Sequence, residues 1–191
     1  MKRKHIYAYI FALAVILAWN TASAQVFDRK FNSGLKRAHL EFKMPSTFSE
    51  KDSTGRQMVC RAGGSIIYTI VNQDSSIIIG FFNFIGTPYT DGRTAVNNIL
   101  NGKRYYQDTT ASKPIVHTAE FAKSAFNADA AVEYSRNCTQ TVNGYNNMRI
   151  VSIANNKFGE GNIIYFYKDK GKPDFDKFIQ GNTAMLRFKS Y

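Results

Sequence analysis

The sequence is poor in the residues that most often mark chemistry. It holds two cysteines, three histidines, four prolines and one tryptophan in 191 residues. His39 and His117 are the only histidines beyond the first residues, and neither has a partner at H-x-x-x-H spacing, so no zinc motif is present. No G-x-S-x-G elbow, Walker loop or G-x-G-x-x-G turn follows a strand pattern, and no motif calls for a metal or a cofactor. Neither Cys60 nor Cys138 has a second cysteine at C-x-x-C spacing or an adjacent base, which argues against a catalytic thiol. The single tryptophan is Trp19, in the N-terminal apolar run. Beyond that run the chain lacks the ring that sugar-binding sites most often stack on, although tyrosine can replace it.

The one long apolar stretch lies at the start. Lys2, Arg3 and Lys4 precede Ile6 to Trp19, and Ala22-Ser23-Ala24 supplies the small residues a signal peptidase needs. The run spans about 14 residues, short of the roughly 20 that cross a bilayer, which favours a cleaved leader over an anchor. Gln25 is then the first mature residue, and the product is expected to be secreted or periplasmic, with no transmembrane segment after cleavage. Removing residues 1–24 leaves 167, enough for one domain with a real core. Residues 25–37, polar and basic, read as a lead-in to a single domain at 38–191.

Charge of one sign is also scarce. Lys and Arg number 25 against 14 Asp and Glu. The leader holds three of the basic residues and no acidic one, so the mature chain keeps 22 against 14, a balance of +8. Such a surface is either merely solvated or drawn to anionic partners. The cations are dispersed rather than clustered, which argues against nucleic acid.

What the chain does have is β-branched and aromatic residues in short runs. A first strand is expected at about 38–44, ended by Pro45. "SEKDSTG" at 49–55 reads as a turn and "RQMVCRA" as a second strand. "SIIYTIV" and "SSIIIGFFNFI" flank the turn residues "NQDS" and form a hairpin. Its second strand is apolar at nearly every residue, which calls for cover on both faces. A helix is expected in "TPYTDGRTAVNNILNG", with Gly102 at its stop. A second is expected in "KPIVHTAEFAKSAFN", with His117 near its start, Ala122 and Phe126 on one face, and Asn127 as a left-handed cap. "AAVEYSR" then begins a strand, and "NMRIVSIAN" and "GNIIYFYK" form a second hairpin. "KGKPDFDKFIQGN" is a third helix, with Pro173 in its first turn and Phe175, Phe178 and Ile179 on its apolar side. "AMLRF" at 184–188 closes the chain as a short strand.

The fold class that follows is α+β. A central antiparallel sheet of about six or seven strands carries three short helices, in an α/β/α sandwich. The dense stretch "AFNADAAVEYSRNC" therefore divides into a helix end, a turn and a strand. Its alternation puts Glu133 and Ser135 on one face and Val132, Tyr134 and Cys138 on the other.

The order of elements resembles the PsbP-like fold. The features that carry the resemblance are an early strand ending in "FKMPSTF", the hairpins "SIIYTIVNQDSSIIIGFF" and "MRIVSIANNKFGEGNIIYFYK", and the end "PDFDKFIQGNTAMLRFK". Together they cover about residues 38–190. The resemblance implies a non-enzymatic binding or assembly protein and transfers no site residue, because no motif defines a site.

The best surface candidate for recognition is Lys103, Arg104, Tyr105 and Tyr106, which follow the helix stop and combine charge with amphipathic rings. A strand with one tyrosine buried is the alternative, and "YFYK" at 165–168 carries the same ambiguity. The expected function is an exported, non-catalytic binding protein whose partner is a protein or an anionic envelope polymer, monomeric or weakly self-associating. The alternatives are a small secreted hydrolase assembled from carboxylates such as Asp91, Glu120, Asp129 and Glu133, and a protective protein that blocks a toxin.

In an oxidising compartment Cys60 and Cys138 either form one disulfide or remain two buried thiols. On the chain-entropy model a loop this long would stabilise by about 4 kcal/mol. Intact mass before and after reduction and alkylation separates the two. A disulfide predicts no alkylation of the denatured chain until reductant is added.

Overall fold

Two stretches crowded with isoleucine and phenylalanine, split by small polar residues, set the sheet. A computed structural model describes residues 29–51, 66–87, 113–142, 144–182 and 185–190. The described elements run α1 (Arg29–Arg37), β1 (Leu40–Phe42), β2 (Phe48–Glu50), β3 (Ile66–Asn72), β4 (Ile77–Ile85), β5 (Ile115–Val116), α2 (Ala119–Phe126), β6 (Ala130–Val142), β7 (Tyr145–Asn155), β8 (Gly159–Tyr167), α3 (Lys172–Asn182) and β9 (Leu186–Phe188). Seven strands make one antiparallel sheet in the order β2-β3-β4-β8-β7-β6-β5, and β1 pairs with β9 in a separate two-stranded sheet. Both expected hairpins are there, and the architecture is the expected α+β one.

The β3–β4 turn holds itself through side chains. The Asp74 carboxylate accepts from the Ser76 N–H at 3.0 Å and from its hydroxyl at 2.7 Å, and Asn72 Oδ1 accepts from the Ile77 N–H at 2.9 Å. The Ser76 bonds hold Asp74 below the usual carboxylate range, because they favour the ionised form. The turn is tied to the far hairpin by Tyr145, whose hydroxyl donates to the Ser75 carbonyl at 2.7 Å.

Strand β8 is buried at every residue from Gly161 to Tyr167. Side chains alternate faces along it, so the sheet has two buried sides. Ile163, Tyr165 and Tyr167 join Ile77, Ile79 and Phe81 of β4 in one apolar cluster. Ile164 and Phe166 join Ile78, Phe82, Tyr134, Met148 and Ile150 in the other. The three described helices all place residues in the first cluster: Phe31 of α1, Ala122, Ala125 and Phe126 of α2, and Phe175 of α3. The helix expected at 90–102 lies outside the described residues. So does the strand expected at 56–62.

Several expectations change. Residues 29–37, expected as a lead-in, form α1. Its apolar signal is faint, since Phe31 and Leu35 are its only large apolar residues, and its stability comes from docking rather than propensity. The strand expected at 38–44 shortens to three residues and pairs with β9 instead of entering the main sheet. Ser49 and Glu50, expected in the turn at 49–55, instead pair with β3 together with Phe48 as an edge strand, whose exposed face tolerates polar residues, and residues 52–55 lie outside the described residues. His117 does not begin α2. It follows the short strand β5, and Thr118 caps the helix by accepting from the Phe121 N–H at 3.2 Å. Asn127 is the left-handed cap that was expected, at φ 49° and ψ 36°. Its side chain adds a tie that the sequence did not announce, donating to the carbonyls of Phe188 and Lys189 at 3.1 and 3.2 Å.

Helix α1 is held to the sheet by one ring. Phe31 is fully buried and stacks on Tyr68 with centroids 4.1 Å apart. Phe42 meets it edge-on, and Phe81 and Phe84 lie tilted against it. Gly34 lets the helix come close, since a Cβ there would lie 2.9 Å from the Phe84 ring. Phe31→Ala should therefore cost about 3–5 kcal/mol in a urea titration, the scale of a buried ring removed from a packed core.

Candidate functional site

Three cations line a cleft beside α1. Arg29, Ser33 and Arg37 stand four residues apart on one face of the helix, and Lys30 lies beside the first. At about 1.5 Å per residue the row extends roughly 12 Å. The opposite wall is apolar and comes from Ile67 of β3 and Phe84 and Ile85 of β4. The cleft holds about 580 Å³, within the roughly 300–1,000 Å³ of sites that take small molecules. Among its described lining residues there is no carboxylate.

Irregular pairing shapes the apolar wall. The β3–β4 register shifts between Ile66 and Tyr68, and the β4–β8 register shifts between Phe82 and Ile85. Without a shift Phe84 would share a face with Phe82. With it Phe84 turns into the α1 cluster, while Ile85 stays 44% exposed at the rim. The Phe84 carbonyl accepts from the Arg37 guanidinium at 3.2 Å, which fixes that side chain across the cleft. Beyond Ile85 the chain runs so close to α1 that a Cβ on Gly86 would meet the Arg37 carbonyl.

The electrostatics favour an anion. The first turn of α1 has no acidic residue and carries Arg29 and Lys30 at the positive end of the helix dipole. Cations there forgo the stabilisation that acidic residues would give, and they add to the local positive field.

A second cluster sits on the helix-covered face of the sheet. Glu133 Oε2 lies 3.3 Å from His117 Nε2, and Glu133 Oε1 lies 3.1 Å from Arg149 Nε. The Arg149 contact is an ion pair, and its N–H is not aligned for a hydrogen bond to Glu133. Arg149 and Glu133 are diagonal neighbours across β6 and β7. The Phe175 ring covers the guanidinium at 4.9 Å, and the His117 ring stacks on Phe121 with centroids 4.5 Å apart. Burial pushes the neighbouring Tyr165 hydroxyl well above its ordinary value, and the Glu133 charge adds to that rise. The cluster's contacts link β6 and β7, and His117 between β5 and α2, to rings on α2 and α3.

The sequence-derived candidates fare unequally. Lys103, Arg104, Tyr105 and Tyr106 lie outside the described residues, as do Cys60 and Asp91. Cys138 belongs to β6, and its side chain is outside what is described. Tyr165 and Tyr167 share a face opposite Phe166, and all three are buried, so "YFYK" is core rather than recognition surface. The carboxylates weighed for a hydrolase have separate partners. Asp129 accepts from the Asn156 N–H at 2.8 Å, Glu133 faces His117 and Arg149, and Glu120 lies in the first turn of α2, where hydrogen bonds lower its pKa. Among the described residues no group of three His, Cys, Asp or Glu could hold a metal. The row Arg29–Arg37 lies in the segment expected as a lead-in, where a polar and basic composition hides the helix. The four-residue spacing of Arg29, Ser33 and Arg37, with Phe31 and Leu35 on the other side, was the available signal.

Removing one member of the second cluster should be felt in stability. Glu133→Gln removes the negative charge that faces Arg149 beneath Phe175 and should cost about 1–3 kcal/mol in denaturant unfolding, between the values for exposed and buried pairs.

No family model and no curated protein sequence matches the chain. In overall structure it is similar to cyanobacterial PsbP (CyanoP) from Synechocystis, known from a solution structure, at 12% identity and a TM-score of 0.41. The match covers 80% of this chain and 88% of that one. No helix among the described residues is long and apolar enough to cross a membrane.

Proposed function

We propose that this chain is an exported, non-catalytic binding protein whose partner is an acidic protein or an anionic envelope polymer, engaged at the cleft beside α1. The observation that carries this reading is the cleft itself: three cations and a hydroxyl from one helix, with no described carboxylate among them. The leader-like residues 1–24 and the mature balance of +8 support it from the sequence. Lys103, Arg104, Tyr105 and Tyr106 are a proposed second contact. A Cys60–Cys138 disulfide and a monomeric or weakly associating state belong to the same reading, as does a secreted or periplasmic location.

The test compares two charge-matched variants for binding to polyphosphate and to a poly-glutamate peptide by fluorescence anisotropy. One carries Gln at Arg29, Lys30 and Arg37. The other carries Gln at Lys123, Lys177 and Lys189, which are exposed and do not line the cleft. The first should lose at least about tenfold in affinity, or roughly 1.4 kcal/mol shared among three contacts, and the second much less. Equal losses would mean that net charge alone drives binding and that the cleft is not the site.

A further inference from the structure

Half of the cleft wall is of no use to a ligand that is only an anion. Ile67, Phe84 and Ile85 face the Arg29–Arg37 row, and Ile85 is one of the few large apolar side chains left exposed among the described residues. Two register shifts put this apolar wall in place, and bulges of this kind re-aim side chains beside sites. The Arg37 guanidinium is held by the Phe84 carbonyl at the junction of the two walls. A charged group at the helix would therefore sit next to hydrocarbon on the strands.

From this arrangement we infer that the cleft takes an amphiphilic anion: a phosphate or carboxylate head at Arg29, Ser33 and Arg37, and an alkyl stem laid on Ile67 and Ile85. The inference rests on the reading of the cleft as an anion site and names the chemistry of the group that enters it. Guanidinium groups suit such heads because their N–H donors match paired oxygens. The Ser33 hydroxyl adds a neutral donor between the two arginines. The apolar wall gains only when methylenes cover it, so a bare polyanion would leave it wet. Two sources share this chemistry, a free alkyl phosphate or fatty carboxylate and the headgroup region of a lipid surface.

Calorimetry on the full mature chain tests the inference with decyl phosphate kept below its micellar concentration, inorganic phosphate, and decanol. Decyl phosphate should bind at least about tenfold more tightly than either half alone, the scale set by burial of a few methylenes. Ile85→Ser, at an exposed position, should weaken decyl phosphate and leave inorganic phosphate unchanged. Arg29→Gln should weaken both phosphates and leave decanol unchanged. Equal affinity for decyl phosphate and inorganic phosphate, or indifference to Ile85→Ser, would overturn the amphiphile inference while leaving the anion site standing. Decanol binding as tightly as decyl phosphate would overturn it from the other side. No binding of any phosphate or polyphosphate would remove both readings. Vesicles of phosphatidylglycerol then separate the sources. Competition with decyl phosphate places the ligand at a lipid surface, and its absence points to a free amphiphile; either result keeps the chemistry.

Discussion

The constraint on which the rest of the structure depends is that β8 is apolar on both faces. A strand with Ile163, Tyr165 and Tyr167 on one side and Ile164 and Phe166 on the other cannot leave either side in water. It must lie inside a sheet, and β4 and β7 flank it there. Each of those neighbours brings its own buried residues to both faces, so the two-sided demand spreads through the middle of the sheet. The first face is met by short helices, none of which buries more than a few residues. What they share is aromatic contact. Phe175 stacks on Tyr167 at 4.4 Å and covers Arg149, while Phe31 stacks on Tyr68.

Helix α1 shows how one short segment combines packing against the sheet with a row of cations along a cleft. Phe31 and Gly34 face the sheet and let the helix dock closely, and the row Arg29, Ser33, Arg37 is carried into place by that docking. A nine-residue helix with cations in its first turn has little reason to form alone. Its position, and therefore the geometry of the cleft, rests on a ring stack and on the missing Cβ at Gly34. The Arg37 bond to the Phe84 carbonyl closes the arrangement from the strand side. By contrast, the cluster of His117, Glu133 and Arg149 has the composition of a chemical site and the placement of a fastener, since each polar group faces another or lies under a ring.

Much of the sheet was legible in the chain because its signals are local and strong. The "NQDS" turn bonds to Ser76 and Ile77 just after it, the alternation of "AAVEYSR" survives as Glu133 on one face and Tyr134 on the other, and Asn127 takes the left-handed cap its place after Phe126 calls for. Other features were hidden because their cause is distant. Residues 29–37 carry too few apolar side chains to announce a helix, and Phe31 gains its value only from Tyr68, Phe42 and Phe81. The strand after Ala38 reads like a member of the main sheet, yet it pairs with the last strand, which no local pattern states. Phe84 points to the α1 face only because the β4 register shifts against β8.

The sequence by itself determined the strand periods, the turn chemistry, the basic balance and the apolar N-terminal run, since each depends on residues near one another in the chain or on simple composition. Only the tertiary structure decided which cations meet, which face of β4 Phe84 joins, and that a basic helix would lie against an apolar wall. Those outcomes depend on contacts between residues some 47 positions apart, such as Arg37 and Phe84, where register and close packing act and local propensity does not.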